Sequence, residues 1–362
     1  MSKFIFRSPS RYIQGAGVIN DLAKETEMIG QSPLLIADEV VWRITQEAVD
    51  SSFLNSKSDY HFEQFNGEAS RKEIDRLASI GKDKHADLVM GVGGGKTLDT
   101  AKAIADELNI PVVIVPTTAS TDAPTSALSV IYSDNGVFEG YKFYDKNPEL
   151  VLIDSQVVVN APIRLFASGI CDAMATLVEV KATIRSKGNA MAGGKPTLAA
   201  QAIAEMAEKT LFKHGIGAYK SAKEGIVTPE VEAIVETNTL LSGLGFENGG
   251  LAGAHAIHNG FTALQGEIHK LTHGEKVAYG TLVQLVLEGK SEKEITKYID
   301  FYNSINMPTT LKSMHLENAS YEDLLEVGKL ATAEGETMEN LDQEITSEQV
   351  ANAILAVDAL SM

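Results

Sequence analysis

Cysteine is nearly absent. Cys171 is the only one in 362 residues, so no disulfide can close within the chain. That excludes a disulfide-stapled secreted scaffold and makes a reducing, cytoplasmic setting the expectation. No apolar run approaches the ~20 residues a membrane span needs. The opening residues, MSKFIFRSP, lack the continuous apolar stretch of a signal peptide. Basic residues are scarce, 31 Lys and Arg against 49 Asp and Glu, for a net charge of −18. Such a surface repels nucleic acid and anionic lipid, so no nucleic acid and no membrane is expected as a partner. Internal repeats, low-complexity tracts and Pro/Ser linkers are also missing. What remains is 44% hydrophobic and 22% charged, ordinary for a globular protein with a sizeable core, and the length fits two domains.

The most informative stretch is 86–102, ADLVMGVGGGKTLDTAK. An apolar run, Leu88-Val89-Met90, ends in Gly91-Val92-Gly93-Gly94-Gly95. Leu98, Ala101, Ala105 and Leu108 then recur three and four apart, on one helix face. This spells strand, glycine-rich turn, helix. Glycine lets a ligand approach the backbone with no Cβ in the way. The free N–H groups of a first helical turn attract an anion, most often a phosphate. Neither standard glycine template is met: Met90 stands where a P-loop needs its first glycine, and Lys96 where G-x-G-x-x-G needs its third. A tight structural turn is the plain alternative.

Around it, 33–38 and 110–115 read as buried parallel strands, and 4–6, 60–62, 127–132 and 150–153 as further strands. Residues 8–15 read as a loop, followed by a helix from about Val18, and 71–81 as a helix. Asp38, at the tip of an early strand, stands either where a dinucleotide fold binds the adenosine ribose or as an N-cap. The hydroxyl-rich segment 116–124, PTTASTDAP, also follows a strand, where open α/β sheets bind ligands. Strands and helices alternate to about Asp154, which argues an α/β layer with a mostly parallel sheet. From Pro162 onward helical patterns dominate, near 197–213, 230–243, 277–287 and 347–360. Thr228-Pro229, Ser291-x-x-Glu294 and Thr346-x-x-Gln349 mark helix starts. The expected organisation is an α/β domain over 1–161 and an all-helical domain over 162–362, with a cleft between them.

Three places in the helical half hold possible metal ligands: Asp172 among apolar neighbours at a helix start, His255 and His258 three apart on one side of a helix, and His273 at a loop-to-helix junction. A carboxylate and two imidazoles suit Zn²⁺ or Fe²⁺ with a position left for substrate. Each also has a bland reading. Asp172 caps its helix, one of the paired histidines is a satisfied interior residue, and His273 is an ordinary junction residue. Cys171 reads as a small packing residue.

Several motifs act together. They are Pro9-x-Arg11-Tyr12-x-x-Gly15, Gly91-x-Gly93-Gly94-Gly95-Lys96-x-x-Asp99-x-Ala101-Lys102, Pro116-Thr117-Thr118-Ala119-Ser120-x-Asp122-Ala123-Pro124, Gly169-x-x-Asp172-Ala173, His255-Ala256-Ile257-His258-Asn259-Gly260 and His273-Gly274. In this order, over essentially the whole chain, they resemble the iron-containing (group III) alcohol dehydrogenase family, and within it the zinc-dependent glycerol dehydrogenase branch. The resemblance implies a Rossmann-like, dehydroquinate synthase-like α/β domain followed by an all-α domain. It implies NAD-dependent oxidation of glycerol and related vicinal diols, glycerol going to dihydroxyacetone, by metal-assisted hydride transfer.

By position, the resemblance makes Asp172, His255 and His273 the metal ligands and part of the substrate site, with one Zn²⁺ per subunit ahead of Fe²⁺ or Mn²⁺. In the iron enzymes a further His lies one helical turn after the Asp; Thr176 stands there instead, which favours three ligands and zinc. His258 and Asp122 match catalytic positions, His258 near substrate and nicotinamide and Asp122 against glycerol. Asp38, Gly93, Gly94, Gly95, Lys96, Asp99, Thr117, Thr118, Ser120, Ser126, Leu128 and Tyr132 match cofactor-contacting positions. Asp38 would favour NAD over NADP, because a carboxylate repels a 2′-phosphate. A homo-oligomer is implied, an octamer among its forms. The rivals are a phosphate-handling enzyme of the same fold, such as a glycerol-1-phosphate dehydrogenase or 3-dehydroquinate synthase, and a non-catalytic NAD-binding protein. The first would need cations in its substrate pocket, and around the ligand segments only Lys270 and Lys276 offer them.

Overall fold

The computed structural model describes residues 2–54 and 56–362, and within them the chain divides into two compact units. The first to be considered comprises 8–162 with 222–240. Its order is β1 (Arg11–Gly15), α1 (Leu22–Thr26), β2 (Pro33–Ala37), α2 (Glu39–Phe53), β3 (His61–Gln64), α3 (Arg71–Asp83), β4 (Leu88–Gly93), α4 (Gly95–Leu108), β5 (Val112–Pro116), β6 (Leu128–Tyr132), β7 (Phe138–Phe143), β8 (Leu150–Asp154) and α5 (Ser155–Asn160). Six strands form a parallel sheet in the order β1-β8-β5-β4-β2-β3. The side-chain period of two explains how a strand can be apolar throughout. In β2, Leu34 and Ile36 face the layer of α3 and α4, with Ile74, Leu77 and Ile104. Leu35 and Ala37 face α1 and α2, with Leu22, Val49 and Phe53. Each such side chain contributes about 1.5–3 kcal/mol by leaving water.

The strand order places a switch point beside β2. The chain leaves β2 for β3 on one side and returns to β4 on the other, so the ends of β2 and β4 open onto the crevice where doubly wound sheets take ligands. Asp38 follows the first of these strands and Gly94 the second.

Several local readings change. Residues 8–15 hold strand β1, which lies at the sheet edge and, among the described residues, pairs with β8 alone. Its half-exposed sequence RYIQG therefore carries no apolar run. Residues 4–6 form no strand: Phe4 makes a single bridge to Lys195 and is 66% exposed. The 127–132 strand is β6, which lies outside the parallel sheet in an antiparallel hairpin with β7. The register shift between Ile131 and Tyr132 obscures the alternation that would have announced the pair.

The second unit comprises 1–7, 163–221 and 241–362. The helices from here on are α6 (Ile163–Arg185), α7 (Leu198–Lys223), α8 (Pro229–Glu236), α9 (Ser242–Gly249), α10 (Gly253–Gly260), α11 (His273–Leu287), α12 (Glu292–Ser304), α13 (Tyr321–Ala331) and α14 (Ser347–Ser361). Thr228, Ser291 and Thr346 each accept a hydrogen bond from the N3 backbone N–H, as their spacing requires. α8 lies in the segment 222–240, which belongs to the sheet-containing unit; its amphipathic pattern alone does not say which core it joins. Among the described residues no helix is long and apolar enough to cross a membrane.

Candidate metal centre and nucleotide loop

The metal-ligand candidates come together in the helical unit because three helices approach at glycine. α11 begins at His273, capped by Thr272, whose hydroxyl accepts from the Glu275 N–H while Glu275 returns a bond to the Thr272 N–H. Arg164 of α6 grips the same Glu275 carboxylate at 2.7 Å. Gly274 then lies directly on α6: its N–H donates to Ser168 Oγ at 3.1 Å, and a Cβ there would sit 1.9 Å from the Ser168 carbonyl oxygen. At Gly280 a Cβ would sit 2.4 Å from the Ala254 carbonyl oxygen, so α11 presses equally closely on α10. Gln284 of α11 accepts from the Ala254 N–H at 2.7 Å and so helps cap α10.

This packing brings Asp172, His255 and His273 within one ligand shell. Asp172 Oδ1 lies 3.0 Å from His273 Nε2 and 3.5 Å from His255 Nε2. All three ligand atoms lie within 4.8 Å of one another. Donors about 2.1 Å from a tetrahedral zinc stand about 3.4 Å apart, so the set fits such an ion. Asp172 lies well inside α6, not at its start, so it caps nothing. Burial pushes its carboxyl up, but His273 and His255 outweigh that and hold it well below the usual range. Burial pulls His255 down, and the carboxylates of Glu179 and Asp172 more than reverse this. Thr176, one turn on, is buried and bonded to Ser242 Oγ at 2.8 Å.

Glu179 is the member of the centre that sequence reading passes over. It sits on α6, seven residues after Asp172, fully buried. One oxygen accepts from the N–H groups of Ala252 and His255, at 2.8 and 3.0 Å. The other meets His255 Nδ1 at 2.7 Å. A carboxylate that only accepts requires a proton on Nδ1, which makes Nε2, the nitrogen facing Asp172, the atom a metal would take. Its i, i+7 spacing from Asp172 puts it on the same face of α6, which by itself singles out no acid on a long helix.

His258 shares the cluster, its ring 4.3 Å from that of His273. Burial, with His273, Lys276 and His255 nearby, pushes its pKa well down.

In the sheet-containing unit, the glycine turn runs from β4 into α4. A Cβ at Gly93 would meet Thr97 Oγ1 at 2.7 Å, whereas at Gly94 and Gly95 it would meet nothing within 4 Å. The entry to α4 at Gly94 and Gly95 is therefore bare backbone with open approach, which fits a nucleotide phosphate. Lys96 pairs with Glu68 at 2.7 Å and lies over the Tyr132 ring. Burial, with Asp99 and Glu68, pushes the Tyr132 phenol up to about 12. Asp38 caps α2 through the Val41 N–H at 2.9 Å; this occupies Oδ1, and a carboxylate has a second oxygen to offer. Asp99 is turned inward: Oδ2 accepts from the Val130 N–H at 3.0 Å, and Lys102 stands 3.6 Å from Oδ1.

Lys102 carries more than its place in the motif suggests. Its buried ammonium donates to the Ala123 and Leu128 carbonyls at 2.6 and 3.0 Å and lies 3.4 Å from Ser126 Oγ, fastening the loop that follows Asp122. Upstream in that loop, the Thr117 N–H bonds the Gly93 carbonyl, Thr118 and Ser120 share a hydroxyl contact at 3.1 Å, and Asn238 donates to the Ala119 carbonyl at 3.0 Å. Asp122 is buried at the start of the single turn 123–125.

The iron-containing alcohol dehydrogenase family matches this chain over residues 9–155. Glycolaldehyde reductase of Halobacterium salinarum is 46% identical over 356 residues, 98% of this chain and 97% of that one. Glycerol dehydrogenase of Citrobacter freundii is 45% identical over 356 residues, again 98% and 97%. The crystal structure of glycerol dehydrogenase from Schizosaccharomyces pombe superposes with a TM-score of 0.96 at 43% identity, covering 100% of this chain and 92% of that one.

Proposed function

Because the chain belongs to the iron-containing alcohol dehydrogenase family, we propose that it is an NAD-dependent oxidoreductase that interconverts glycerol and dihydroxyacetone with the help of zinc. The observation that carries the reading is the buried set Asp172, His255 and His273, with Glu179 behind it. Zinc held by those three residues would act as a Lewis acid on the substrate hydroxyl oxygen, and NAD would accept the hydride from the adjoining carbon.

The chain's own residues do the rest. Glu179 keeps the proton of His255 on Nδ1, so that Nε2 remains a ligand. Neutral His258 takes the hydroxyl proton. Asp122 accepts a hydrogen bond from another substrate hydroxyl. Gly94, Gly95 and Lys96 receive the pyrophosphate, and Asp38 binds the adenosine ribose and repels a 2′-phosphate. Thr117, Thr118, Ser120, Ser126, Leu128 and Tyr132 line the remainder of the cofactor path. Asp99 and Lys102 support it from beneath.

The names of the two sequence relatives share a chemical feature. Glycerol and glycolaldehyde both carry oxygen on adjacent carbons. Asp172, His255 and His273 would hold the ion with room left for substrate, which would suit a compound with oxygen on adjacent carbons. The same reading includes a homo-oligomer in the cytoplasm, which light scattering and cell fractionation would test.

The decisive experiment replaces Asp172, His255 or His273 by Ala and measures zinc content and NADH formation with glycerol, alongside NADP and a panel of diols. Loss of bound zinc and at least about a 1,000-fold loss of rate are expected, with vicinal diols preferred over 1,3-propanediol and NAD over NADP. A folded variant that retains full activity and zinc would overturn the site.

A further inference from the structure

The proposed reaction requires an acceptor atom on His258, and a ring with two nitrogens supplies one only if its proton is kept on the other. Two contacts lead away from this ring. His258 Nδ1 lies 3.1 Å from Asn259 Oδ1, and Asn259 Nδ2 lies 3.0 Å from Glu336 Oε2. Glu336 comes from a segment 77 residues further along the chain, between α13 and α14, and is half-buried.

The logic of donors and acceptors runs in one direction. An ionised carboxylate only accepts, so the Asn259 amide must turn its NH₂ toward Glu336. Its carbonyl oxygen then faces His258, and a carbonyl oxygen also only accepts. The proton of the neutral imidazole must therefore sit on Nδ1, which leaves the Nε2 lone pair free. The segment carrying Glu336 is itself pinned to α10, the helix of His255 and His258. Thr337 Oγ1 donates to the Ala252 carbonyl at 2.6 Å and Asn340 Nδ2 to the Leu251 carbonyl at 2.8 Å. The carboxylate is thus held in register with the histidine helix.

We propose that Glu336 is a positioning residue which, by orienting the Asn259 amide, fixes His258 as the Nδ1–H tautomer and keeps Nε2 as the proton acceptor. The inference rests on the proposed part of His258 in the reaction, although the orientation itself does not. Burial raises the Glu336 carboxyl above its ordinary value, and the Asn259 bond and the Thr337 N–H offset only part of that. A buried acid that keeps these partners is suited to holding a dipole.

The test uses the full-length zinc-loaded enzyme with ¹⁵N-labelled histidine, the His258 ring signals being assigned by their loss in His258→Asn. In the native protein His258 Nε2 should appear unprotonated. Glu336→Gln keeps the shape but can accept or donate, so Asn259 can turn over. A mixture of His258 tautomers is expected, with kcat for glycerol lowered about 10–100-fold and zinc content and the KM for NAD unchanged. Glu336→Asp should restore part of the native signal and rate, because the group again only accepts. Native tautomer in Glu336→Gln, whatever the rate, would overturn the proposal. Mixed tautomers with an unchanged kcat would support the positioning by Glu336 and instead sink the part given to His258. Should Glu336→Gln fail to fold, Glu336→Ala carries the test: with no acceptor left to hold the Asn259 NH₂, mixed His258 tautomers are expected, and a native His258 signal would overturn the proposal.

Discussion

At the scale of single residues, the proposed metal centre leans on a carboxylate outside the ligand set. Glu179 satisfies two backbone N–H groups with one oxygen and fixes His255 with the other. Glu179→Gln is nearly isosteric, yet it cannot do both. If its carbonyl stays with the backbone donors, its NH₂ confronts the Nδ1 proton of His255. The ring then moves its proton to Nε2 and ceases to be a ligand. Zinc affinity is expected to fall about 10–100-fold, measured by competition with a chromophoric chelator; native affinity would show that His255 orients itself. That Asp172, His255 and His273 are candidate ligands was legible from residue type and neighbourhood, and the fold brings them together. Their support was not, because Glu179 looks like any other acid on a long helix. Its burial becomes visible only when α10 is laid against α6.

At the scale of elements, the approach of α11 to α6 is decided at one position. A Cβ on Gly274 would lie 1.9 Å from the Ser168 carbonyl oxygen, a backbone atom that cannot swing aside. Gly274→Ala should therefore push the first turn of α11 away and carry His273 from Asp172. A destabilisation of about 3 kcal/mol or more, with loss of bound zinc, is expected by urea unfolding and metal analysis; a stable zinc-replete variant would contradict the packing argument. A second element has its own signature in pH. Glu73, in the first turn of α3 after its Ser70 cap, is pushed up by burial, but bonds from Arg76 and Asn66 prevail and leave it below the ordinary 4.5. A carboxyl lowered on folding stabilises the native state above its unfolded pKa, and that contribution disappears as pH falls through its folded pKa. Glu73→Gln should thus cost most stability near neutral pH and progressively less below about pH 4, read from urea midpoints of both proteins; a gap that widened on acidification would reverse the sign. The elements themselves were legible where burial is two-sided, as in β2 and β4, or where a cap spells the start, as at Thr346. β1, β7 and the true start of α6 were not. An edge strand has no continuous apolar run, the hairpin is broken in register, and the reading of Asp172 as a helix start mistook an interior acid for a cap.

At the scale of the whole molecule, each proposed ligand belongs with one unit, so its loss should be felt there. Asp172, His255 and His273 lie on α6, α10 and α11 of the helical unit, whereas Asp38 and the glycine turn lie at the ends of β2 and β4 in the other. A ligand that binds only the folded state stabilises it by RT ln(1 + [L]/Kd), about 2.7 kcal/mol at a hundredfold excess over Kd. Even without an ion, the three candidate ligands are joined by Asp172 contacts of 3.0 and 3.5 Å, and α11 is anchored by its capping box and Arg164. Chelation should therefore loosen the helical unit without unfolding it. Hydrogen exchange is expected to accelerate in α10 and the first turn of α11 after EDTA treatment, to recover on adding zinc, and to remain unchanged in β2 and β4. NAD should slow exchange at the start of α4 and around Asp38, whether or not zinc is present. If chelation loosened β2 and β4 as strongly as α10, stability would not be partitioned between the units. If it altered neither, Asp172, His255 and His273 would not be holding a metal in the purified protein.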